Sequence, residues 1–244
     1  AVRIDIRGNV GKPIETGMAP QQKIAWDGKT FLISCDGGKG TGARKTSNTA
    51  TAIRLGHDSR LIGKSFTVAE LVRNGHYSLS AVPGKGWLFV IHRSPPDAWA
   101  WGGSAAMICH FILPEGGMDI SMNKENQKVK SNLQPNWIDV NTSDREVWPY
   151  GTSASAWDGK RSVVVWQRYH CMGEKKSTLT NCDIMAAQTD GWKRLTGQPI
   201  SVASTDSEEL APALASNGAG KLLCIYEKEM NGETLICMRI LKSK

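Results

Sequence analysis

The sequence predicts an all-β chain, a β-propeller of about four blades, each a four-stranded antiparallel sheet, with the ring closed by N- and C-terminal strands. Three observations predict it. A β-rich unit recurs along the 244 residues, and self-similarity at a steady period marks repeat architectures. The best-preserved half of that unit reads AWDGKTFLIS at 25–34 and AWDGKRSVVVW at 156–166. No long stretch carries the helical spacing of apolar residues that would compete with strands.

Each unit runs apolar strand, turn, apolar strand, loop, apolar strand, turn, apolar strand. Gly, and Asp to a lesser extent, tolerates positive φ, so the Asp-Gly pairs at 27–28 and 158–159 are expected to close two-residue hairpins. The runs that follow are rich in Val, Ile, Leu and Phe, as strands buried on both faces require. Innermost strands are expected near 22–27, 77–82, 152–157 and 211–216, and second strands near 31–35, 87–92, 162–167 and 221–226. Third strands fall near 50–55, 106–113, 183–188 and 234–241. Outer strands fall near 63–69, 136–141 and 196–203, with 12–17 of the N-terminus completing the last sheet. A sheet apolar on both faces cannot bury them alone, so neighbouring copies must stack face to face. On this reading residues 1–244 form a single propeller domain with a polar insertion near 114–135. Residues 2–6 read as a surplus strand, either an extra edge or the sign of a larger ring.

The segments AWDGKRSVVVW, CDIMAAQ and GQPISV resemble the propeller repeat of secreted bacterial proteins, whose units read P-x-V-A-W-D-G-x-x-Y-L-V-V-W, D-I-x-A-x-R-V and G-x-P-I-x-V. The second copy departs from it, with AVPGKG in place of the Asp-Gly turn, and the fourth carries SNGAG. The resemblance covers most of the chain outside the insertion. It implies the fold and a secreted or periplasmic home. It implies no reaction, because such repeats are platforms for unrelated activities.

The composition excludes several classes. The net charge is +7, but the basic residues are scattered: Lys39, Arg44 and Lys45 in one loop, Lys124, Lys128 and Lys130 in another, Lys175 and Lys176 in a third. A nucleic-acid binder concentrates its charge on one stripe, so no nucleic-acid partner is expected. No run approaches the roughly 18–20 apolar residues that cross a bilayer, and the N-terminal AVRIDIRGNVGK has no apolar signal core. The six cysteines show no Cys-x-x-Cys spacing and there is no paired His cluster, so neither a metal nor a cofactor is expected. Cys171 and Cys182 flank the polar segment MGEKKSTLTN and would close that loop as a disulfide in an oxidising compartment. Cys35, Cys109, Cys224 and Cys237 lie in apolar runs and read as small buried hydrophobes. Trp26, Trp157 and Trp166 recur within strands and read as core.

Candidate functional residues come from the irregular loops at one end of the sheets, since variable loops on a rigid scaffold are where sites arise. Trp99 and Trp101 in DAWAW, with Trp148 and Tyr150, offer stacking surfaces for a sugar ring or a partner side chain. The alternative is that they fold back as a local mini-core. His76, Glu208 and Glu209 are expected at the mouth of the central channel. Asp27 and Asp158, although carboxylates, belong to the repeated turn and read as structural. The leading expectation is a non-catalytic scaffold binding a glycan or protein. The alternatives are a glycoside hydrolase or lyase at the channel mouth, and a subunit of an oligomer or larger assembly.

Overall fold

In the computed structural model the described residues are 7, 10–15, 22–36, 48–71, 77–93, 106–112, 136–138, 147–172, 178–189 and 198–242. All the regular structure among them is β. Sheet 1 holds β1 (Lys23–Trp26), β2 (Thr30–Asp36), β3 (Asn48–Gly56) and β4 (Leu61–Leu71). Sheet 2 holds β5 (Tyr77–Val82), β6 (Gly86–Arg93), β7 (Ala106–Ile112) and β8 (Asn136–Ile138). Sheet 3 holds β9 (Val147–Trp157), β10 (Ser162–Met172), β11 (Thr178–Thr189) and β12 (Ile200–Ala203). Sheet 4 holds β13 (Glu208–Ser216), β14 (Lys221–Met230) and β15 (Glu233–Lys242). Within every sheet neighbouring strands are consecutive in the chain and antiparallel, for example Ala25 opposite Leu32 and Ala156 opposite Val163.

The sheets stack face to face in chain order, and alternation along each strand sends an apolar set to both sides. Leu32, Ala50 and Ala52 of sheet 1 meet Tyr77, Trp87 and Phe89 of sheet 2. The opposite face of sheet 2, with Val82, Leu88 and Val90, meets Val164 and Trp166 of sheet 3. Val165, Ile184 and Ala186 on the far side of sheet 3 meet Cys224 and Tyr226 of sheet 4. Each buried side chain of this size contributes about 1.5–3 kcal/mol, which is why the sheets cannot stand separately.

The Asp-Gly turns are wider than a two-residue hairpin. Trp26 pairs with Phe31, so four residues make the turn, and the Asp27 amide donates to the Thr30 carbonyl at 3.1 Å. Asp27 Oδ1 accepts from the amides of Lys29 and Thr30 at 2.8 and 2.7 Å. Asp158 Oδ1 does the same for Lys160 and Arg161 at 2.7 and 2.6 Å. The carboxylate supplies the closure that a tighter backbone turn would otherwise give, which confirms the structural reading of both aspartates. The turns also stitch sheet to sheet. The Gly84 amide donates to the Asp27 carbonyl at 3.1 Å, and the Gly220 amide donates to the Asp158 carbonyl.

Two expectations need correction. Residues 11–15 form no strand and sheet 4 has three strands, so closure of the ring by the N-terminal segment is not observed. Ile14 instead packs against Ile33, Ile53 and Leu55 on the outer part of sheet 1. Trp166 is buried core and Trp157 packs against the cluster between sheets 2 and 3, but Trp26 is 40% exposed. It lies on the face of sheet 1 turned away from sheet 2, where its ring leans on Phe31 at 4.4 Å. The surplus strand at 2–6 and the insertion at 114–135 lie outside the described residues.

The turn geometry separates two equivalent glycines. Gly28 and Gly159 both have positive φ, +99° and +104°. A Cβ on Gly28 would meet nothing within 4 Å, whereas one on Gly159 would collide with the carbonyl of Gly218 across the sheet 3–sheet 4 junction. Gly28→Ala is expected to cost about 1–3 kcal/mol from backbone strain alone. Gly159→Ala is expected to cost clearly more, read as the difference in urea midpoints.

Candidate active site at the junction of the last two sheets

The inner strands β9 and β13 both start at the end of the stack opposite the Asp-Gly turns, and sheets 3 and 4 meet there. β13 opens with Glu208 and Glu209. Glu209 is fully buried. Its Oε1 accepts from Thr205 Oγ1 at 2.5 Å, while Oε2 has no hydrogen-bond partner among the described residues. Glu208 is half-buried. Thr205 is itself held: its carbonyl accepts from Asn181 Nδ2 at 2.7 Å, and its hydroxyl accepts from the Ser207 amide at 3.2 Å.

Asn181 leads into the polar part of sheet 3. Its Oδ1 accepts from the Cys182 amide at 2.8 Å. Next to it, Asp183 is 1% exposed and pairs through Oδ2 with Arg168 Nη2 at 2.5 Å. Gln167 fills the neighbouring position. Its Oε1 accepts from the amide and the hydroxyl of Thr152, both at 2.8 Å, and its Nε2 approaches Cys182 Sγ at 3.7 Å. Burial pushes the Cys182 thiol up to about 12. The Gln167 hydrogen bond works against this shift, and the nearby charges of Asp183 and Glu208 add to it.

The backbone is irregular at this same end. Pairing of β13 with β14 shifts register between Leu210 and Ala213, and Ala211 sits at φ +48°, a region that costs a non-glycine residue about 1–3 kcal/mol. Pairing of β10 with β9 shifts between Trp166 and Arg168. Bulges re-aim side chains and gather beside functional sites. Among the described residues no three His, Cys, Asp or Glu side chains assemble as a metal site would need.

Of the residues singled out in the sequence, Glu208 and Glu209 sit at the start of β13, while Trp148 and Tyr150 lie in the first part of β9. The fold thus brings these four to the same end of two neighbouring inner strands. His76, Trp99 and Trp101 lie outside the described residues. Cys182 is a free buried thiol; it stands opposite Tyr169, while Cys171 stands opposite Leu179. The expected disulfide between Cys171 and Cys182 is therefore corrected, because the two positions are out of register.

Thr205, Asn181 and the Asp183–Arg168 pair were missed. The legible signal for the pair was a charge in each of two doubly buried strands, CDIMAA and VVVWQR, since a charge there must find a partner. Thr205 and Asn181 carried no such signal, because Asn and Thr are ordinary loop residues.

No protein-family model matches the chain, and no curated protein matches it. Among solved structures it is similar to one named as a glycoside hydrolase, at 11% identity and a TM-score of 0.43, over 90% of this chain and 69% of the other. It is similar to the alpha-L-arabinofuranosidase from Lactobacillus brevis at 12% identity and a TM-score of 0.46, over 90% and 67%. A third, named as a complex of BT0996 and RGII, matches at 11% identity and a TM-score of 0.40, over 90% and 69%. At such identities and scores the likeness assigns no residue of this chain a role. The expectation of a non-catalytic binding scaffold is corrected: two of these structures are named for glycoside-cleaving enzymes, which sides with the enzyme alternative.

The site generates two expectations. Arg168→Met removes the cation beside a buried carboxylate and is expected to cost about 3–5 kcal/mol, measured by chemical denaturation. The native Cys182 thiol stays protonated while an unfolded one ionises near its ordinary 9.0. The stability this contributes is complete below pH 9 and is lost as the pH rises from there toward 12. Cys182→Ser should flatten the fall in stability over that range, and iodoacetamide at pH 8 should label Cys182 only after unfolding.

Proposed function

We propose that the chain is a propeller-type enzyme of the glycoside hydrolase or lyase kind, acting at the junction of sheets 3 and 4. The observation that carries the reading is the buried Glu209 carboxyl with Oε2 unpartnered. Leaving such a group unsatisfied costs about 1–3 kcal/mol or more, and carboxyls kept in that condition are concentrated at functional sites. Cleavage of a glycosidic bond by water takes two carboxyl groups, one protonating the leaving oxygen and one acting as base or nucleophile. Glu209, which has no cation beside it among the described residues, takes the proton-donating role. Asp183, its charge held by Arg168, stands as the second carboxylate, and half-exposed Glu208 gives the pair its opening to solvent. Trp148 and Tyr150, with His76, Trp99 and Trp101 from the loops of the same end, are proposed to line the sugar-binding surface.

Radial arrangement of the sheets in one domain is part of the same proposal. Small side chains fill the junctions near the inner strands: Ser78 and Ser80 of β5 hydrogen-bond Ser155 of β9 at 3.2 and 2.9 Å. Toward the outer strands the fillers are bulkier, such as Ile184, Val202 and Tyr226. That taper suits sheets converging on an axis. A glycan substrate also agrees with the secreted or periplasmic home that the repeat implies.

The test is release of reducing sugar from a panel of aryl glycosides and polysaccharides. Wild type is expected to cleave at least one. Glu209→Gln, which keeps the Thr205 hydrogen bond, is expected to lose about 10²–10⁴ of the rate with its unfolding midpoint unchanged. No cleavage by wild type, or full activity in Glu209→Gln, would sink the assignment.

A further inference from the structure

The geometry points to a second copy of this chain as the cover for two sheet faces left open, the sheet 4 face of one copy docking on the sheet 1 face of the next. Each junction inside the chain joins the onward face of one sheet to the backward face of the following one. Sheet 3 presents Ala154, Ala156, Val163 and Val165 to sheet 4, with Val163 opposite Ala156 and Val165 opposite Ala154. Sheet 4 repeats that register on its own onward face, with Leu223 opposite Ala215 and Ile225 opposite Ala213. β15 extends it, placing Ile240 opposite Leu223 and Met238 opposite Ile225. In sheet 3 this surface is packed, but in sheet 4 Ile236, Met238 and Ile240 are 68%, 66% and 68% exposed.

Sheet 1 shows the converse. Trp157 on the backward face of sheet 3 is covered by Val82, Leu88 and Val90 of sheet 2, with Lys85 Nζ 5.9 Å from its ring centre. Trp26 holds the same place in the AWDG turn of sheet 1 and has no covering sheet among the described residues. With Ile24, 57% exposed, it leaves the inner half of that face open, while Ile14 packs on the outer half. The chain thus carries one unmatched onward face and one unmatched backward face. A second copy supplies both complements and continues the stacking already used three times within the chain. Association is heterologous, and it closes into a ring of copies or runs on.

Sedimentation velocity and light scattering on the 244-residue chain at about 10 µM test this. A mass at a multiple of 26.6 kDa is expected. Met238→Glu and Trp26→Glu, both at exposed positions, should each give a 26.6 kDa monomer with an unchanged circular dichroism spectrum. Mixing the two variants should restore a dimer, because each keeps the face that the other has lost. A monomeric wild type overturns the inference and turns attention to a further sheet on a longer chain as the cover. An oligomer that Trp26→Glu leaves intact overturns it too, in favour of edge-to-edge pairing through β15.

Discussion

A four-stranded sheet that is apolar on both faces is the constraint from which the rest of this protein follows. It has no stable state alone, because alternation along each strand sends large side chains to both sides. The answer is a stack in which Leu32, Val90 and Val165 each belong to a different sheet and are each covered by the next one. Stacking fixes where the strand ends fall. It therefore gathers residues far apart in sequence, such as Asp183 and Glu209, at one end of one junction. The polar chemistry is a by-product of apolar packing.

The two ends of the stack divide the labour. At the Asp-Gly end every strong acceptor is spent on the fold: Asp27 and Asp158 hold their own turns, and their carbonyls reach the neighbouring sheet. At the other end the bonding is incomplete. Glu209 Oε2 and Arg168 Nε are buried without partners, Ala211 is held at positive φ, and register shifts interrupt β13 and β10. A fold that settles its turns so fully at one end has no structural need for irregularity at the other. That contrast is a physical reason to place function there.

Most of the strand order was legible because repetition and the run of Val, Ile and Leu after each turn leave little choice. All eleven strands of sheets 1, 3 and 4 fall where the repeat puts them, and sheet 2 follows although its turn reads PGKG. The width of the Asp-Gly turn was not legible, since it depends on an Asp side chain replacing backbone bonds. The exposure of Trp26 was not legible either. The motif AWDG fixes which way the tryptophan points, but whether another sheet stands opposite is a property of the assembly. Within the site, Glu208 and Glu209 were visible as paired acids beside a strand. Burial of one and half-exposure of the other depends on strand alternation at a junction, which no local pattern states.

The same reasoning ties the candidate site to the edges of the stack. The Glu209 cluster sits on the last junction that the chain makes by itself, and the next face beyond it, carrying Leu223, Ile225 and Met238, is open. β13 contributes to both: its first residues enter the polar cluster, and Ala213 and Ala215 lie on the open face. Its bulge at Leu210–Ala213 separates the two roles. Covering the open face would restrain β13 from the far side without touching Glu209, because interfaces transmit strain through packed elements rather than through loose ones. A site built on an inner strand is therefore set by the sheet on each side of it, and the geometry of Glu208 and Glu209 belongs to the junction as a whole rather than to β13 alone.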